Sequence, residues 1–517
     1  MSAMLDNTLQ SDDLVIHEEM GCPGTWLQNI LGEYFVTTAD PDNIKAMLAT
    51  QFHDFELGPL RLDQIGPLIG HGIFTSDGKE WQQQRAMLRP QFTRSQISNL
   101  ALLETHVQNL FRHFDDAHHQ PGSWTSEVDL APLFFNLTLD AATEFLFGQS
   151  VESQTGYQKT TTTQRTDAAE EEKKDGRDGG VSGRDWSSFG RAFDRANATI
   201  ALRGMMMNFY WLYKPSTFDR DCEEVRQFAD YFVRRALMSQ GRGDSDSAAD
   251  DSAAAADDDD GSSSSSSSSP QPPEAYVFLR ELAKTTRDPD ALRSQLLNIL
   301  LAGRDTTAGL LGWTFFLLAR HPAHYSRLHR VVVEAFGPYS PGGDDDARRR
   351  ITFESLKACR PVQHLLSEVL RLHPVVPENG RRAVRDTTLP RGGGPDGQSP
   401  VFVRGGSHVI YSVNVMHHRK DLWGDDAHAF RPGRWADRRG GHNHGGGGGG
   451  WEYLPFNGGP RVCLGQQYAL TEAAYVVVRT LQKYGSIENL DPDPVTRHRY
   501  TLTTAPVKVA VRLCRAG

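Results

Sequence analysis

A single cysteine inside a glycine- and proline-rich stretch constrains this chain more than any other feature. The stretch Phe-Asn-Gly-Gly-Pro-Arg-Val-Cys-Leu-Gly covers residues 456–465, and its cysteine is Cys463. Glycines let the backbone approach a flat ligand closely, and Pro460 stiffens the loop. Arg461 offers a planar fork of donors that suits a carboxylate. Most lone cysteines are buried structural residues, but a thiolate held in such a loop can also be the axial ligand of a haem iron.

A long helix is predicted from Ala291 to Arg320, where apolar residues recur at helical spacing and Pro322 follows. At the rise of an α-helix this segment is roughly 45 Å long, which is enough to cross a whole domain. Residues 310–318 are apolar on most faces, as is typical of a central buried helix. The sequence therefore predicts a core built around this helix.

Polar residues interrupt that helix in the motif Ala-Gly-Arg-Asp-Thr-Thr, residues 302–307. Asp305 and Thr306 are unfavourable in a buried helix unless they serve a purpose there. Gly303 opens the helix surface to a small molecule and shares a helix face with Thr306, three residues further on. The alternative is a polar kink in which these side chains bond back to the helix backbone.

Two further pairs have helical spacing. Glu368 and Arg371 stand three residues apart in a predicted helix that ends at Pro374, and this spacing permits an ion pair. Trp81 and Arg85 stand four residues apart, on one face of another predicted helix. Each pair by itself is weak evidence for a function, because surface ion pairs contribute little to stability and amphipathic helices produce such spacings by chance.

Taken together and in chain order, these features resemble the cytochrome P-450 superfamily of haem-thiolate monooxygenases. The resemblance covers about residues 32–517 apart from three low-complexity stretches. The positions of the cysteine loop that match the family pattern are Phe456, Gly459, Arg461, Cys463 and Gly465. The resemblance implies a mainly α-helical fold with a minor β region. In that fold a long central helix lies over the haem, and the cysteine-ligand loop lies on the proximal side.

The resemblance also implies a cofactor and its ligands. The cofactor is haem b, whose iron takes the Cys463 thiolate as its axial ligand. Trp81, Arg85 and Arg461 are expected to bind the haem propionates. Ala302 stands where animal fatty-acid ω-hydroxylases carry a glutamate esterified to haem, which predicts that the haem here is bound without a covalent bond.

Further roles follow from the same resemblance. The helix face with Gly303 and Thr306 is expected to lie over the haem, with O2 in its groove. Asp305 and Thr306 are expected to relay protons during oxygen activation. Outside the helix, a structural ion triad is expected between Glu368, Arg371 and Arg434. Arg434 belongs to the segment Phe-Arg-Pro-Gly-Arg, residues 430–434.

Three longer strings, residues 276–289, 386–397 and 465–473, resemble the fungal cytochromes P-450 that hydroxylate alkanes and fatty acids. That family oxidises long aliphatic chains at or near the terminal methyl group. Other substrate classes stay open, namely sterols, xenobiotics and secondary metabolites, as does a haem-binding pseudoenzyme disabled by truncation. An isomerase or dehydratase that needs no O2 is disfavoured, since it would not need a proton relay.

Substrate contacts are predicted by position in the family alone, and ordinary core packing is the alternative for each of them. The candidates are a glycine-containing loop at 58–73, residues 205–207, Val375, Val376 and Leu502.

The resemblance implies that electrons come from a separate NADPH–cytochrome reductase. Basic side chains of the proximal face are candidates for steering it electrostatically: Lys79, Arg85, Arg89 and Arg94. The remaining partner is a lipophilic small-molecule substrate, and no nucleic acid is expected. By resemblance the full-length form is associated with the endoplasmic reticulum membrane, on its cytosolic face. We expect this chain to be truncated at its N-terminus, because it has no run of about 18 apolar residues that would serve as an anchor.

Composition adds little to these conclusions. The formal charge of −10 comes largely from residues 241–273, which hold eight aspartates against one arginine. This stretch, together with 157–185 and 436–450, is too polar or too featureless to be ordered by burial. We interpret the three as surface insertions in one haem-thiolate domain that covers residues 1–517. The five cysteines are scattered, without a CxxC pair, which argues against a disulfide framework or a zinc site.

Overall fold

The fold is mainly α-helical, as the sequence predicts. The structure is a computed structural model, and it describes residues 7–21, 23–30, 32–97, 100–114, 120–155, 188–250, 277–340, 351–437 and 450–517. Within these ranges the α-helices are α1 (Leu9–Glu19), α2 (Pro41–Lys45), α3 (Pro59–Ile69), α4 (Gly78–Leu88), α5 (Arg94–Ile97), α6 (Leu100–Arg112), α7 (Leu130–Phe147), α8 (Phe189–Met205), α9 (Phe218–Asp250), α10 (Phe278–Ala283), α11 (Pro289–Arg320), α12 (Pro322–Phe336), α13 (Phe353–Ala358), α14 (Arg360–Leu372), α15 (Val413–His418), α16 (Lys420–Trp423), α17 (Arg434–Asp437) and α18 (Gln466–Lys483).

The β structure is small and lies in separate sheets. Its strands are β1 (Thr25–Ile30), β2 (Glu33–Thr38), β3 (Phe55–Glu56), β4 (Val128–Asp129), β5 (Glu378–Ala383), β6 (Thr387–Gly393), β7 (Ser399–Val403), β8 (His408–Ser412), β9 (Tyr484–Asn489), β10 (His498–Tyr500), β11 (Thr504–Pro506) and β12 (Ala510–Arg515). The largest sheet has the order β1-β2-β8-β5-β3, in which only the β2–β8 pair is parallel. A second sheet has the order β4-β12-β9, and β6–β7 and β10–β11 are hairpins.

Helix α11 is the predicted central helix, and it joins the two largest apolar clusters. Residues 292–301 lie in one cluster with α8, α9 and α10. Residues 308–319 lie in the other, with α7, α12, α14 and α18. Trp313 and Phe315 have no exposed surface at all. Burial of such side chains is the main favourable term in folding, so the core is built around this helix as the sequence predicts.

Two glycines let a hairpin reach the surface of α11. A Cβ atom on Gly309 would lie only 2.6 Å from the backbone oxygen of Thr504, and one on Gly312 would meet the ring of Pro506. The hairpin β10–β11 therefore packs directly on the helix backbone. The amide of Thr504 donates to the carbonyl of Val375 at 2.9 Å, so the segment after α14 is held at the same place.

The prediction of a loop at 58–73 is wrong, because most of that segment is helix α3. Pro59 fits the first helical turn, and Ile65, Leu68 and Ile69 bury one face. The glycines that indicated a loop do not end the helix before Gly70, whose positive φ of 69° marks its C-cap.

A proline inside α3 leaves one backbone carbonyl without its helical donor, and a side chain of α8 supplies the missing hydrogen bond. Pro67 has no N–H, so the carbonyl of Asp63, four residues earlier, loses its donor within the helix. Arg203 of α8 donates to that carbonyl at 3.2 Å. Gln64 donates in turn to the carbonyl of Met207 at 3.0 Å. Helices α3 and α8 are therefore tied together by tertiary hydrogen bonds that no local pattern predicts.

Smaller differences concern element ends. The stretch 95–148 contains α6 and α7 but is not helical between Phe114 and Val128 in its described part. Helix α9 runs to Asp250, ten residues into the stretch 241–273, since an established helix propagates more easily than it nucleates. Residues 157–185, 251–273 and 438–449 of the three predicted insertions lie outside the described residues.

Helix α7 is the one described helix whose length and mean hydropathy would allow it to cross a membrane. Its apolar window is 78% buried inside the protein, and it packs along α11. This is the behaviour of a core helix.

Candidate active site

The cysteine loop is held by its own backbone. The amide of Cys463 donates to the carbonyl of Phe456 at 3.0 Å, and the amide of Val462 donates to Gly459 at 3.1 Å. Gly459 has a φ of 65°, and a Cβ atom there would collide with the carbonyl of Leu48. This position therefore requires glycine, as the pattern predicts. Helix α18 begins directly after the loop, at Gln466.

The thiol of Cys463 faces open space. Its side chain is exposed and lines an open depression together with other residues of the loop and Arg85 of α4. Desolvation raises the pKa of the thiol, while the backbone N–H of Gly465, the charge of Arg85 and the N–H of Gln466 act in the opposite direction. Arg85 and these two N–H groups are the partners that would stabilise the sulfur as a thiolate when it binds a metal.

The central helix presents an accessible stripe in its middle. Ala302, Gly303 and Thr306 are partly exposed, whereas their helix neighbours Leu301 and Arg304 are buried. A Cβ atom on Gly303 would meet no other atom within 4 Å, so there is room above the helix backbone. Gly303 and Thr306 are the two residues predicted to share the face over a ligand, and Ala302 is the residue predicted to leave the haem without a covalent bond. Helix α11 also packs on α18, which follows the cysteine loop.

Thr306 shows the local bonding that the alternative interpretation anticipated. Its hydroxyl donates to the carbonyl of Ala302 at 2.6 Å, one helical turn earlier. This bond keeps the hydroxyl at the accessible stripe without a buried unsatisfied donor. The hydrogen bond back to the helix backbone and the functional interpretation are therefore compatible at this residue.

Asp305 lies on the other side of the stripe. It is 1% exposed and accepts hydrogen bonds from Asn197 and Arg304. Burial raises the pKa of Asp305, and the charge of Arg304 partly offsets this effect. Burial therefore favours the protonated form of this carboxyl.

A cluster of arginines lies beside the cysteine loop. Arg461 binds Asp77 at 2.6 Å and lies 4.3 Å over the ring of Trp81. Burial lowers the pKa of Arg461 to about 10, and the further cations Arg381, Arg61 and Arg85 add to that lowering. Within the described part of the chain, Asp77 is the one carboxylate that acts against these cations at Arg461.

The arginine cluster has more positive than negative charge, so a ligand with two negative charges would fit it. Arg61 donates to Asn379 at 2.8 Å, and Arg381, which is 3% exposed, donates to the carbonyl of Gly380 at 2.7 Å. Neither contact neutralises the charge. Buried cations without counterions are costly, and two carboxylates between them would remove that cost. The two propionates of haem b have this charge.

Of the predicted propionate ligands, Arg461 and Trp81 lie in this cluster. Arg85 donates to the carbonyl of Val462 at 2.8 Å and sits 5.9 Å from the ring of Trp81. Sequence reasoning missed Arg61 and Arg381. Arg381 is in β5 and reaches the cluster through the pairing of β5 with β8, and its only sequence signal was a pair of adjacent arginines after the α14 motif.

The predicted ion triad is present and fully enclosed. Glu368 and Arg371 have no exposed surface, and Arg434 is 3% exposed. Arg371 binds both carboxylate oxygens of Glu368, at 2.9 and 3.0 Å, and Arg434 binds one of them at 2.9 Å. The indole of Trp435 and the amide of Arg431 also donate to Glu368, each at 3.0 Å. The carboxylate is therefore neutralised and saturated with donors.

A chain of hydrogen bonds connects this triad to the cysteine loop. Arg371 donates to the carbonyl of His417 at 2.9 Å. The ring of His417 accepts from the amide of Leu454 at 3.0 Å, and the carbonyl of Leu454 accepts from Asn457 at 3.2 Å. Asn457 belongs to the loop itself. The triad therefore fixes the position from which the loop starts.

An exposed cysteine in a glycine-rich loop, an accessible stripe on the central helix and a cluster of arginines beside them are the features expected of a haem-thiolate protein. Comparison with known proteins gives the same answer. The sequence model of the family described as Cytochrome P450 (written P-450 here) matches residues 22–511. The chain therefore belongs to the cytochrome P-450 family, and it is a monooxygenase.

The chain is also similar to individual fungal proteins. It is 44% identical to a cytochrome P-450 monooxygenase of a Fusarium species over 94% of this chain and 76% of that protein. It is 44% identical to cytochrome P-450 52A13 of Debaryomyces hansenii, over 91% of this chain and 79% of the relative. It is 43% identical to cytochrome P-450 52A1 of Candida tropicalis, over 91% of this chain and 75% of the relative.

A solved structure confirms the fold. The heme domain of cytochrome P-450DA superposes with a TM-score of 0.70 over 99% of this chain and 93% of that one, at 20% sequence identity. The predicted fold class is therefore confirmed. The roles of the individual site residues stay predictions, supported by the contacts above.

The ion triad generates a first prediction. Arg434→Ala leaves the Glu368 carboxylate buried with one cation fewer, and breaking such a pair costs about 3–5 kcal/mol. We expect a lower thermal midpoint and reduced haem content, measured by melting and by absorbance. The control is Arg431→Ala, since the guanidinium of Arg431 is half exposed and pairs with Asp426 at the surface, where about 1 kcal/mol or less is at stake. Equal losses in both variants would contradict the structural role of the triad.

The arginine cluster generates a second prediction. Arg381→Gln removes one cation from the propionate site, and a hydrogen bond to a charged group contributes about 1.5–3 kcal/mol. We expect haem to dissociate roughly tenfold or more faster, measured by transfer to an apomyoglobin acceptor. Arg382→Gln is the matched control, because its neighbouring side chain points to Glu56 at 2.7 Å instead. Unchanged haem loss in the Arg381 variant would remove this residue from the site.

Proposed function

We propose that this protein inserts one atom of O2 into an aliphatic C–H bond and hydroxylates long-chain alkanes or fatty acids at or near the terminal methyl group. The observation that carries the proposal is the similarity over nine-tenths of the chain to cytochromes P-450 of the 52A type, together with the strings at 276–289, 386–397 and 465–473 that resemble the fungal alkane and fatty-acid hydroxylases.

Partly buried apolar side chains that pack against the two clusters containing α11 suit an alkyl chain. Ile73, Phe74 and Leu502 are partly buried and pack against the cluster that contains the first half of α11. Val376 is partly buried beside the other cluster. Predominantly apolar walls with few polar groups are typical of pockets for lipophilic ligands. The predicted contacts Val376 and Leu502 are apolar side chains of this kind, and residues 205–207, at the end of α8 and directly after it, are partly exposed.

Val375 is a weaker candidate. It is 5% exposed, and its side chain packs against the backbone of Gly309 in the core. The alternative weighed for it, ordinary core packing, accounts for these contacts.

Haem b bound through the Cys463 thiolate supplies the oxygen-activating and C–H-cleaving chemistry, because thiolate ligation favours cleavage of the O–O bond. The protein's own residues do the rest. Gly303 leaves space above the helix backbone for O2, and Thr306 keeps a hydroxyl at that space. Asp305, buried behind them, holds a proton that can replenish the threonine hydroxyl. The apolar walls exclude water from the reacting carbon.

Electrons come, in this proposal, from a separate NADPH–cytochrome reductase on the cytosolic face of the endoplasmic reticulum membrane. The face around the cysteine loop carries the exposed cations Lys79 and Arg89, and Arg89 lines an open depression with Phe92 and Leu464. These charges suit an acidic partner. Arg85 is engaged inside the site, and Arg94 pairs with Glu354, so these two predicted steering residues are the weaker candidates.

The proposal generates a third prediction. The purified protein, supplied with a fungal NADPH reductase, is expected to convert long-chain fatty acids or alkanes to ω- and near-terminal hydroxylated products, measured by mass spectrometry of a chain-length panel. Sterols and aromatic xenobiotics form the comparison panels. Oxidation of a sterol or aromatic substrate with no product from any aliphatic chain would contradict the substrate class while leaving the monooxygenase assignment intact.

A further inference from the structure

A buried arginine lies directly beside the proton-carrying carboxyl of the central helix. Arg304 is 2% exposed, and the rings of Phe135 and Phe193 lie 5.4 and 5.3 Å from its guanidinium. One nitrogen of this group, Nη1, contacts two different carboxylates. It lies 2.6 Å from Asp194 and 3.2 Å from Asp305.

The two carboxyl groups differ in their surroundings. Asp194 belongs to α8, and its side chain is 38% exposed, so its charge is partly hydrated. The side chain of Asp305 is 2% exposed, so neighbouring groups alone would have to offset the desolvation cost of its ionised form. When two carboxylates share one cation, the group that keeps its hydration and the shorter contact is the one that stays ionised.

Helix α8 supplies two groups, Asp194 and Asn197, that influence the protonation state of Asp305. Asp194 competes for Arg304, and Asn197, one turn further along, donates an N–H to the second oxygen of Asp305. The remaining charged group near Asp305 is Arg499, which lies 4.9 Å from the ring of Phe135. Arg304 is therefore the one cation in direct contact with Asp305 among the described residues, and its Nη1 binds Asp194 at the shorter distance.

We propose that Asp194 is a positioning residue for proton delivery: by binding Arg304, it keeps that cation from capturing the Asp305 carboxyl in its ionised form. This inference rests on the proposed function, in which Asp305 carries protons. Asp194 belongs to none of the motifs of the chain, and its effect on the reaction passes through Arg304. With Asp194 in place, Asp305 holds a proton in the resting enzyme. Without it, Arg304 turns to Asp305 and stabilises the carboxylate.

The test replaces Asp194 by asparagine in the haem-loaded protein with its reductase. Asp194→Asn is expected to lower coupled product formation by up to about tenfold, since a lowering of the carboxyl pKa by one unit lowers the ratio of its protonated to its ionised form tenfold. The lost electrons are expected to appear as hydrogen peroxide, and the solvent deuterium isotope effect on turnover is expected to increase. Asp194→Glu is expected to restore both quantities.

The matched control is Asp230→Asn. Asp230 is 27% exposed and binds Arg293 of the same central helix at 3.0 Å, so it is the same kind of ion pair without a carboxyl of the relay beside it. It is expected to leave the isotope effect and the peroxide yield unchanged. A general loosening of α11 would affect both variants equally, and that result would overturn the inference.

A second readout does not depend on turnover. The infrared carbonyl band of a protonated buried carboxyl, assigned to Asp305 by its absence in Asp305→Asn, is expected in the wild-type protein and is expected to weaken in Asp194→Asn. Arg304→Met combined with Asp194→Asn is expected to bring the band back, because the competing cation is gone. A band that is unaffected by Asp194→Asn would overturn the inference.

Asp305→Asn separates this inference from the function on which it rests. If Asp305→Asn turns over at the wild-type rate, the proton-carrying role of Asp305 fails, and the inference fails with it. If Asp305→Asn is slowed about a hundredfold, as loss of a general acid predicts, while Asp194→Asn behaves like Asp230→Asn, only the inference fails.

Discussion

The buried carboxylate of Glu368 is the interaction on which the rest of the site depends. Taking a carboxylate out of water costs several kcal/mol, and that cost is recovered only when the charge is neutralised and every lone pair has a donor. Arg371 comes from the same helix, whereas Arg434 comes from a segment far along the chain. The requirement to pair Glu368 therefore holds distant parts of the sequence together. Through His417 and Leu454 the same network reaches the loop that carries the cysteine.

Around this fixed loop the central helix serves both stability and chemistry. Most of α11 is core, and its two halves lie in different apolar clusters. In its middle the helix departs from that pattern, where Gly303 leaves an open surface and Arg304 and Asp305 place charges in the interior. Such departures are expected where function competes with stability, because a uniformly apolar helix would be more stable but would lack the groups that carry protons in the proposed function. The ion pair from α8 to Arg304 is what makes the buried charges tolerable.

The sequence predicts the parts of this arrangement that depend on short spacings. The cysteine loop, the long helix and the pair Glu368–Arg371 are local patterns, and the structure has all three. The arginine cluster was predicted only in part, because Arg381 reaches it through the register of β5 on β8, which no local pattern specifies. Helix α3 was mistaken for a loop, because its glycines outweighed an apolar face whose partners lie in distant helices, and because Arg203 satisfies the carbonyl freed by its internal proline.

The most direct test of the account is the absorbance difference spectrum of the reduced protein with and without carbon monoxide. The account predicts the long-wavelength Soret band of a thiolate-ligated haem, and predicts that Cys463→Ala abolishes it while Cys359→Ala, which changes a buried structural cysteine, does not. A Soret band at the short wavelength of a haem without thiolate ligation, or a long-wavelength band that survives in Cys463→Ala, would contradict the assignment of Cys463 as the axial ligand.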